Sequence, residues 1–325
     1  MARVALAGVG HWHAQMHLEA ARAAGAEVVA AWDPCAATAA RFAADHGLPL
    51  QSDREALIAA RPDLVVVMGR PDQVPDLALA CMAAGLPIIL EKPAAVSTAA
   101  LEPLVEMARQ TGLFVAVPLP NRCGPIWREM ADLRSAGRLG PVSHAQFRIV
   151  NGPPQRYRAE GVPWVLDPAI GGGGALRNLG IHGIDAALAL AGDAELSVVS
   201  ASIDRRLHGE AVEDYAIVTL RAADGMIATV EAGYTFASMA AGGDFEWRVS
   251  ARNAYLVDRG DTCRVATLDD ERVRDLAPIP PADRYKAFMA DTLDRLARGA
   301  APSVGIGDYL QALRLIDRAY EEAKA

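Results

Sequence analysis

The chain has 325 residues, 52% of them hydrophobic and 22% charged, the balance of a folded globular protein rather than a disordered one. A formal net charge of −8 and the lack of any Lys/Arg run argue against nucleic acid or an anionic membrane as partner, and no uninterrupted apolar segment reaches membrane-span length. At roughly 150 residues per domain the length suits two domains.

Met1-Ala2-Arg3 leads straight into a strand, with no separate apolar targeting segment before it. Cys35, Cys81, Cys123 and Cys263 are widely spaced and form no CxxC pair, so reduced thiols in a cytoplasmic protein are expected. The first strand, Val4-Ala5-Leu6-Ala7, runs into Gly8-Val9-Gly10, and a helix is predicted over residues 12–24. Strand, glycine turn and helix make a phosphate site, because glycine permits close approach and the helix start offers free N–H groups. Gly8, Gly10, His11 and Trp12 are therefore candidate cofactor contacts. His13 occupies the third glycine position of the G-x-G-x-x-G pattern. His13 and His17 have the i, i+4 spacing of a metal pair, but no cysteine or carboxylate stands beside them in sequence; packing or cofactor contact is the plainer reading, and no metal is expected.

The second strand, residues 27–32, ends at Asp33-Pro34. An acidic residue there accepts hydrogen bonds from an adenosine ribose and repels a 2′-phosphate, which favours NAD, with NADP as the alternative. Helices near residues 53–60, 74–84 and 98–110 then alternate with apolar strands at 64–68, 87–90 and 113–117. Such alternation gives a parallel sheet covered on both faces, with ligand at the carboxyl ends of its strands. Those ends are residues 8–11, Asp33, Gly69-Arg70-Pro71 and Glu91-Lys92-Pro93. Lys92 at such an end can hold a substrate hydroxyl and stabilise a developing alkoxide; by position alone a surface ion pair is the plainer reading.

Asn121-Arg122-Cys123-Gly124-Pro125 marks a crossing into a second domain. A helix at residues 126–136, a turn and a strand at 142–150 follow. Residues 151–167 read as a loop, and Arg156, Tyr157 and Trp164 within it are candidates for covering a polar substrate, although a plain surface excursion is the simpler reading of any one of them. Gly171-Gly172-Gly173-Gly174 can form neither a stable helix nor a packed strand, so it reads as backbone passing close to something. A buried helix follows, with Asn178 and His182 on one face and Asp185 on roughly the same face. This is either a catalytic pair or a core histidine satisfied by a neighbour. Strand-like runs at 197–203, 211–221, 226–234, 245–251, 254–257 and 262–267, with a hairpin signal at Asp224-Gly225, imply a mostly antiparallel sheet. Its face not covered by a helix is available to a second subunit. Helices at 282–298 and 306–324 close the chain.

In this order the motifs resemble the glucose–fructose oxidoreductase / myo-inositol dehydrogenase family over essentially the whole chain. The carrying residues are Gly8-Val9-Gly10, Asp33-Pro34, Glu91-Lys92-Pro93 and the run from Gly172 through Leu176, Asn178, Gly180 and His182 to Asp185. The resemblance implies an α/β fold: an N-terminal Rossmann doubly wound parallel sheet over residues 1–120, and a C-terminal α/β domain with an open-faced, mostly antiparallel sheet over 121–325, whose last helix packs back on the first domain. It implies an NAD(P)-dependent oxidoreductase of a sugar, polyol or derivative, commonly a homodimer or homotetramer. Lys92 would hold the reacting oxygen, His182 would take or return its proton, and Pro93 would follow a cis peptide bond. Three positions depart from the family pattern: His13 for the third glycine, Pro75 for a frequent histidine, and Asn178 for the usual Asp. An amide cannot carry the charge that would raise the pKa of His182, so Asn178 is expected to bind substrate. Relatives that recycle NAD within each turnover, in glycosidase- or epimerase-type reactions, and a non-catalytic dinucleotide or sugar sensor are the alternatives.

Overall fold

In a computed structural model describing residues 1–240, 242–270 and 272–324, the first third of the chain alternates strand and helix. The elements are β1 (Arg3–Ala7), α1 (Ala14–Ala23), β2 (Glu27–Trp32), α2 (Ala36–His46), α3 (Arg54–Ala59), β3 (Leu64–Val67), α4 (Val74–Ala83), β4 (Ile88–Leu90), α5 (Thr98–Thr111) and β5 (Val115–Ala116). The strands form a parallel sheet in the order β2-β1-β3-β4-β5. β3 and β4 are wholly buried, as strands covered on both faces must be. Local chemistry sets the helix ends: Asp53 and Ser97 accept the Ala56 and Ala100 amides, and Gly47 and Gly112 close α2 and α5 in the left-handed region.

A 3-10 turn (Pro120–Cys123) leads into α6 (Pro125–Ser135) and the long β6 (Val142–Asn151). Residues 151–167 are not the irregular loop that their composition suggests. They hold α7 (Gln155–Ala159) and a 3-10 turn (Pro163–Leu166), followed by α8 (Pro168–Gly171). Tyr157, Val162, Val165 and Leu166 bury themselves against Val212, Ala232 and Tyr234, and this small core pays for ordering the segment. After the glycines, Leu176–Gly180 forms a wide π turn before α9 (Ile181–Ala191).

The remaining strands are β7 (Leu196–Asp204), β8 (Tyr215–Ala222), β9 (Ile227–Gly233), β10 (Gly243–Ala251), β11 (Ala254–Asp258), β12 (Cys263–Thr267) and β13 (Arg274–Leu276). With β6 they make a sheet in the order β13-β12-β11-β10-β6-β9-β8-β7. All neighbours are antiparallel except β6 and β9, which run parallel. The short β13 is not evident from the sequence pattern. The α9 helix covers one face of this sheet, where Phe147, Ile184, Val218, Val230 and Trp247 are buried.

Both final helices return to the first sheet's layers. The α10 helix (Pro281–Ala297) packs on α1, placing Tyr285, Phe288 and Met289 in one core with Val4, Leu6 and Leu18. The α11 helix (Ile306–Glu322) bridges α5, α9 and β7. No helix among the described residues is long and apolar enough to cross a membrane, and no disulfide joins the four cysteines.

Candidate active site

Two cavities lie at the carboxyl ends of the first sheet. The first, about 640 Å³, is lined by Gly8, Gly10, His11, Asp33, Cys35, Gly69, Arg70, Val74, Gly161 and Trp164, among others. Gly8 has φ +86°, and a Cβ there would collide with the Met68 carbonyl, so only glycine lets β1 turn so close to β3. The Gly8 amide donates to the Trp32 carbonyl, and the Gly10 amide donates to Asp33 Oδ2 at 2.7 Å. Asp33 Oδ1 accepts the Cys35 amide at 2.9 Å. Burial pushes the Asp33 carboxyl up, against the two backbone donors that favour its charged form. Each Asp33 oxygen keeps a lone pair for ribose hydroxyls. His11 is buried; its Nδ1 accepts the His13 amide at 3.2 Å, which leaves the ring proton on Nε2, a donor unpartnered among the described residues beside the glycine turn. The lining therefore fits a dinucleotide. Pro71 is buried outside that lining.

The second cavity, about 840 Å³, is lined by Trp12, His13, Lys92, Asn121, Asn151, Arg156, Tyr157, Asn178, His182, Arg259 and Tyr285, among others. Lys92 enters it from the end of β4 and His182 from α9, so the two motifs converge across the domains. The Lys92–Pro93 peptide is cis. Lys92 is 2% exposed and donates from Nζ to the Asn178 backbone oxygen at 3.2 Å and to its Oδ1 at 3.4 Å. Burial lowers the Lys92 pKa to about 8, partly opposed by Glu91. Trp12 lies beneath the ammonium, 5.8 Å from it. Burial, then the charges of Lys92 and His13, hold the His182 pKa well below its ordinary value. Its Nδ1 is buried without a partner among the described residues.

Asn178 is fully engaged by its neighbours. Its Nδ2 donates to the hydroxyls of Tyr157 and Tyr234, each at 3.1 Å, while Oδ1 takes the Lys92 ammonium. These bonds fix which way the amide points. Asp185 does not join the pair. It lies on the regular α9 helix, three residues past His182, and makes a two-point ion pair with Arg122, with Nε to Oδ2 at 2.7 Å.

The glycines are explained by what they touch. A Cβ at Gly172 would meet the Val96 carbonyl, just beyond Pro93; at Gly173, the Tyr320 hydroxyl; and at Gly174, Glu213. Glu213 is 5% exposed and accepts the Gly174 and Leu176 amides at 2.9 Å and the Tyr320 hydroxyl at 2.7 Å. Arg177 reaches Asp317 of α11, which also binds Thr98 at the start of α5. These contacts hold the π turn against the Lys92 segment.

The other expected residues separate between the cavities. Arg156 and Tyr157 line the second, although Arg156 donates to the Gly242 carbonyl at 3.0 Å. Trp164 instead lines the first, near Trp12 and His11 with ring centroids 5.3 and 6.2 Å away. The Glu91 side chain turns away from both cavities and is 1% exposed, receiving His17 Nε2 at 2.5 Å and His13 Nδ1 at 3.1 Å. Among the described residues, no group of three or more His, Cys, Asp or Glu is placed to hold a metal ion. Glu213, Tyr234, Tyr285 and Tyr320 carry no local motif; only their burial as polar residues marks them.

Residues 2–119 match an oxidoreductase family with an NAD-binding Rossmann fold, and residues 127–257 match the GFO/IDH/MocA C-terminal domain. The 1,5-anhydro-D-fructose reductase of Ensifer adhaerens is 25% identical over 278 residues, covering 83% of this chain and 81% of that protein. Inositol 2-dehydrogenase 2 of Saccharopolyspora erythraea is 31% identical over 221 residues, 65% of this chain and 61% of the relative. A levoglucosan dehydrogenase solved with NADH and levoglucosan shares the fold, with a TM-score of 0.87 over 99% of this chain and 97% of that one, at 20% identity.

Proposed function

The chain belongs to the GFO/IDH/MocA oxidoreductase family, and from that premise we propose that it moves a hydride between NAD and a hydroxyl-bearing carbon of a sugar, polyol or close derivative, with Lys92 and His182 at the reacting oxygen. One observation carries this reading: Lys92 and His182, from different domains, line one cavity beside the dinucleotide loop. Bound nicotinamide supplies the hydride acceptor, or the donor in reverse. The rest is work for the chain's own side chains.

In the oxidation direction His182, uncharged because burial depresses its pKa, takes the hydroxyl proton. The Lys92 ammonium donates a hydrogen bond to the same oxygen and stabilises the negative charge that grows as the proton leaves. Asn178, held by Tyr157 and Tyr234, keeps Lys92 on that oxygen. The C–H electron pair leaves as hydride and the carbon becomes a carbonyl. On the first cavity's side, Asp33 takes the ribose hydroxyls of NAD and disfavours a 2′-phosphate. The uncovered face of the second sheet, with Ile217 and Tyr255 exposed, is the surface for self-association.

The pH dependence of oxidation, followed by NADH absorbance, tests the assignment. Lys92 is charged below about pH 8 and loses that charge above it. His182 stays neutral through the whole neutral range. The expected profile shows no acid limb near an ordinary histidine pKa and a fall as pH rises through about 8. A rate that climbs through pH 6.5 and stays flat beyond 9 would contradict both roles.

A further inference from the structure

His13 stands where the dinucleotide pattern has glycine, yet nothing in its backbone needs glycine: its φ is −89°. Its side chain is among those lining the second cavity, with Lys92, Asn178 and His182. Two groups hold its Nδ1 from behind: Glu91 Oε1 at 3.1 Å and the Tyr285 hydroxyl at 2.9 Å. Burial would push the Glu91 carboxyl up, but the facing His13 and His17 outweigh it and keep it ionised. An ionised carboxylate only accepts, so the Glu91 hydrogen bond requires the ring proton on Nδ1, with the Tyr285 oxygen beside it as a second acceptor. Nε2 then carries the lone pair. It makes no hydrogen bond among the described residues, and it is absent from the sealed, unpartnered atoms, unlike Nδ1 of His182. The ring is 14% exposed at its side chain, in a cavity whose other imidazole and amine work on the reacting oxygen.

We propose that His13 is a substrate-contacting, specificity-determining residue: Glu91 fixes its tautomer, and its Nε2 accepts a hydrogen bond from a substrate hydroxyl other than the one oxidised. This rests on the oxidoreductase reading of the second cavity. The arrangement repeats the logic of a carboxylate orienting an imidazole whose far nitrogen faces the ligand. It gives Glu91 a purpose that contact with the cofactor does not, because its carboxylate faces His13 and His17 and lines neither cavity. It also gives a reason for a side chain in place of the loop's third glycine. The ligand it selects is a polyhydroxylated one: a site built to pair a hydroxyl discriminates against an analogue without it far more strongly than an apolar wall discriminates by size.

Two measurements test this on the full-length protein. Long-range proton–nitrogen NMR of histidine-labelled enzyme reports the ring tautomer, with the His13 signal identified by its loss in His13→Gln. Protonated Nδ1 with bare Nε2 is expected; a proton on Nε2 overturns the proposal. The second compares wild type with His13→Leu and His13→Gln on a polyol that the wild type oxidises and on its monodeoxy analogues. In the wild type, one deoxy analogue should lose about tenfold or more in kcat/KM. In His13→Leu that penalty should vanish through a raised KM for the parent polyol, with NADH affinity by fluorescence within about threefold, and His13→Gln, which keeps an acceptor, should restore part of it. An unchanged deoxy penalty in a folded, NADH-binding His13→Leu enzyme overturns the proposal alone. A wild type that oxidises nothing in a broad sugar and polyol panel overturns it together with the reading beneath it.

Discussion

Replacing Lys92 with alanine should lower kcat by about 10³, within the range for losing a positioned proton-transfer or alkoxide-stabilising group. The same variant should bind NADH within about threefold of wild type, because Lys92 lines the second cavity and not the first. The split distinguishes its role from a structural one. Lysine at this site is 2% exposed and ends on two oxygens of Asn178, so its removal leaves both oxygens without their donor, but it leaves the dinucleotide loop untouched. Lys92→Arg should not rescue the loss, since a planar guanidinium places its donors differently from a compact ammonium. Steady-state rates alongside NADH fluorescence titration check both halves. Activity within tenfold of wild type would take Lys92 out of the mechanism.

The largest expected effect on stability lies at Arg284, in the wall of the second cavity. This residue of α10 is 2% exposed and faces Asp258 of β11, 1% exposed, with Nη2 to Oδ2 at 2.8 Å. Its Nε donates to the Ile279 carbonyl at 2.8 Å and Nη1 to Asn121 Oδ1 at 3.2 Å, and the guanidinium lies over Phe245. One side chain thus ties a helix packed on the first sheet to the second sheet and to the crossing between them. Arg284→Met keeps the apolar stem and strands the Asp258 carboxylate in the interior, which costs about 3–5 kcal/mol. Urea denaturation should show a midpoint lowered accordingly. Arg284→Met with Asp258→Asn should recover part of it, because the double variant leaves no buried charge unpaired. A single-variant loss under about 1 kcal/mol would mean that water reaches Asp258.

Much of this arrangement is legible in the sequence because it is carried by local pattern. Runs such as Leu64-Val65-Val66-Val67 can only be strands buried on both faces, and their alternation with helices dictates a parallel sheet with its ligand end at Gly8, Asp33, Gly69 and Lys92. The glycines at 172–174 announce a close approach, and the structure supplies its objects: Val96, Tyr320 and Glu213. Those objects are far away in sequence, which is why they are invisible beforehand. The parallel pairing of β6 with β9 is likewise a long-range event with no short-range signature. Helical spacing puts Asn178 and His182 on one face, and they remain together on the cavity even across the π turn at Leu176–Gly180; Asp185, three residues past His182 on regular helix, goes instead to Arg122, a partner 63 positions away that no local pattern announces. Trp164 was legible as an aromatic near the ligand, but only the packing of the 3-10 turn beside Trp12 assigns it to the first cavity. The histidines of the glycine turn read as packing or cofactor contacts until their partner Glu91, 74 positions beyond His17, is brought under them.

The central claim is direct hydride transfer at a carbon whose oxygen is held by Lys92 and His182. It is tested most directly with a polyol substrate carrying deuterium on the oxidised carbon, incubated with NAD in ordinary water. The account predicts that the deuterium appears in the NADH, one atom per carbonyl formed, and that the rate of this transfer falls steeply in both Lys92→Ala and His182→Ala, by about 10³ in the first. Deuterium released to water, with none in the nicotinamide, would contradict it.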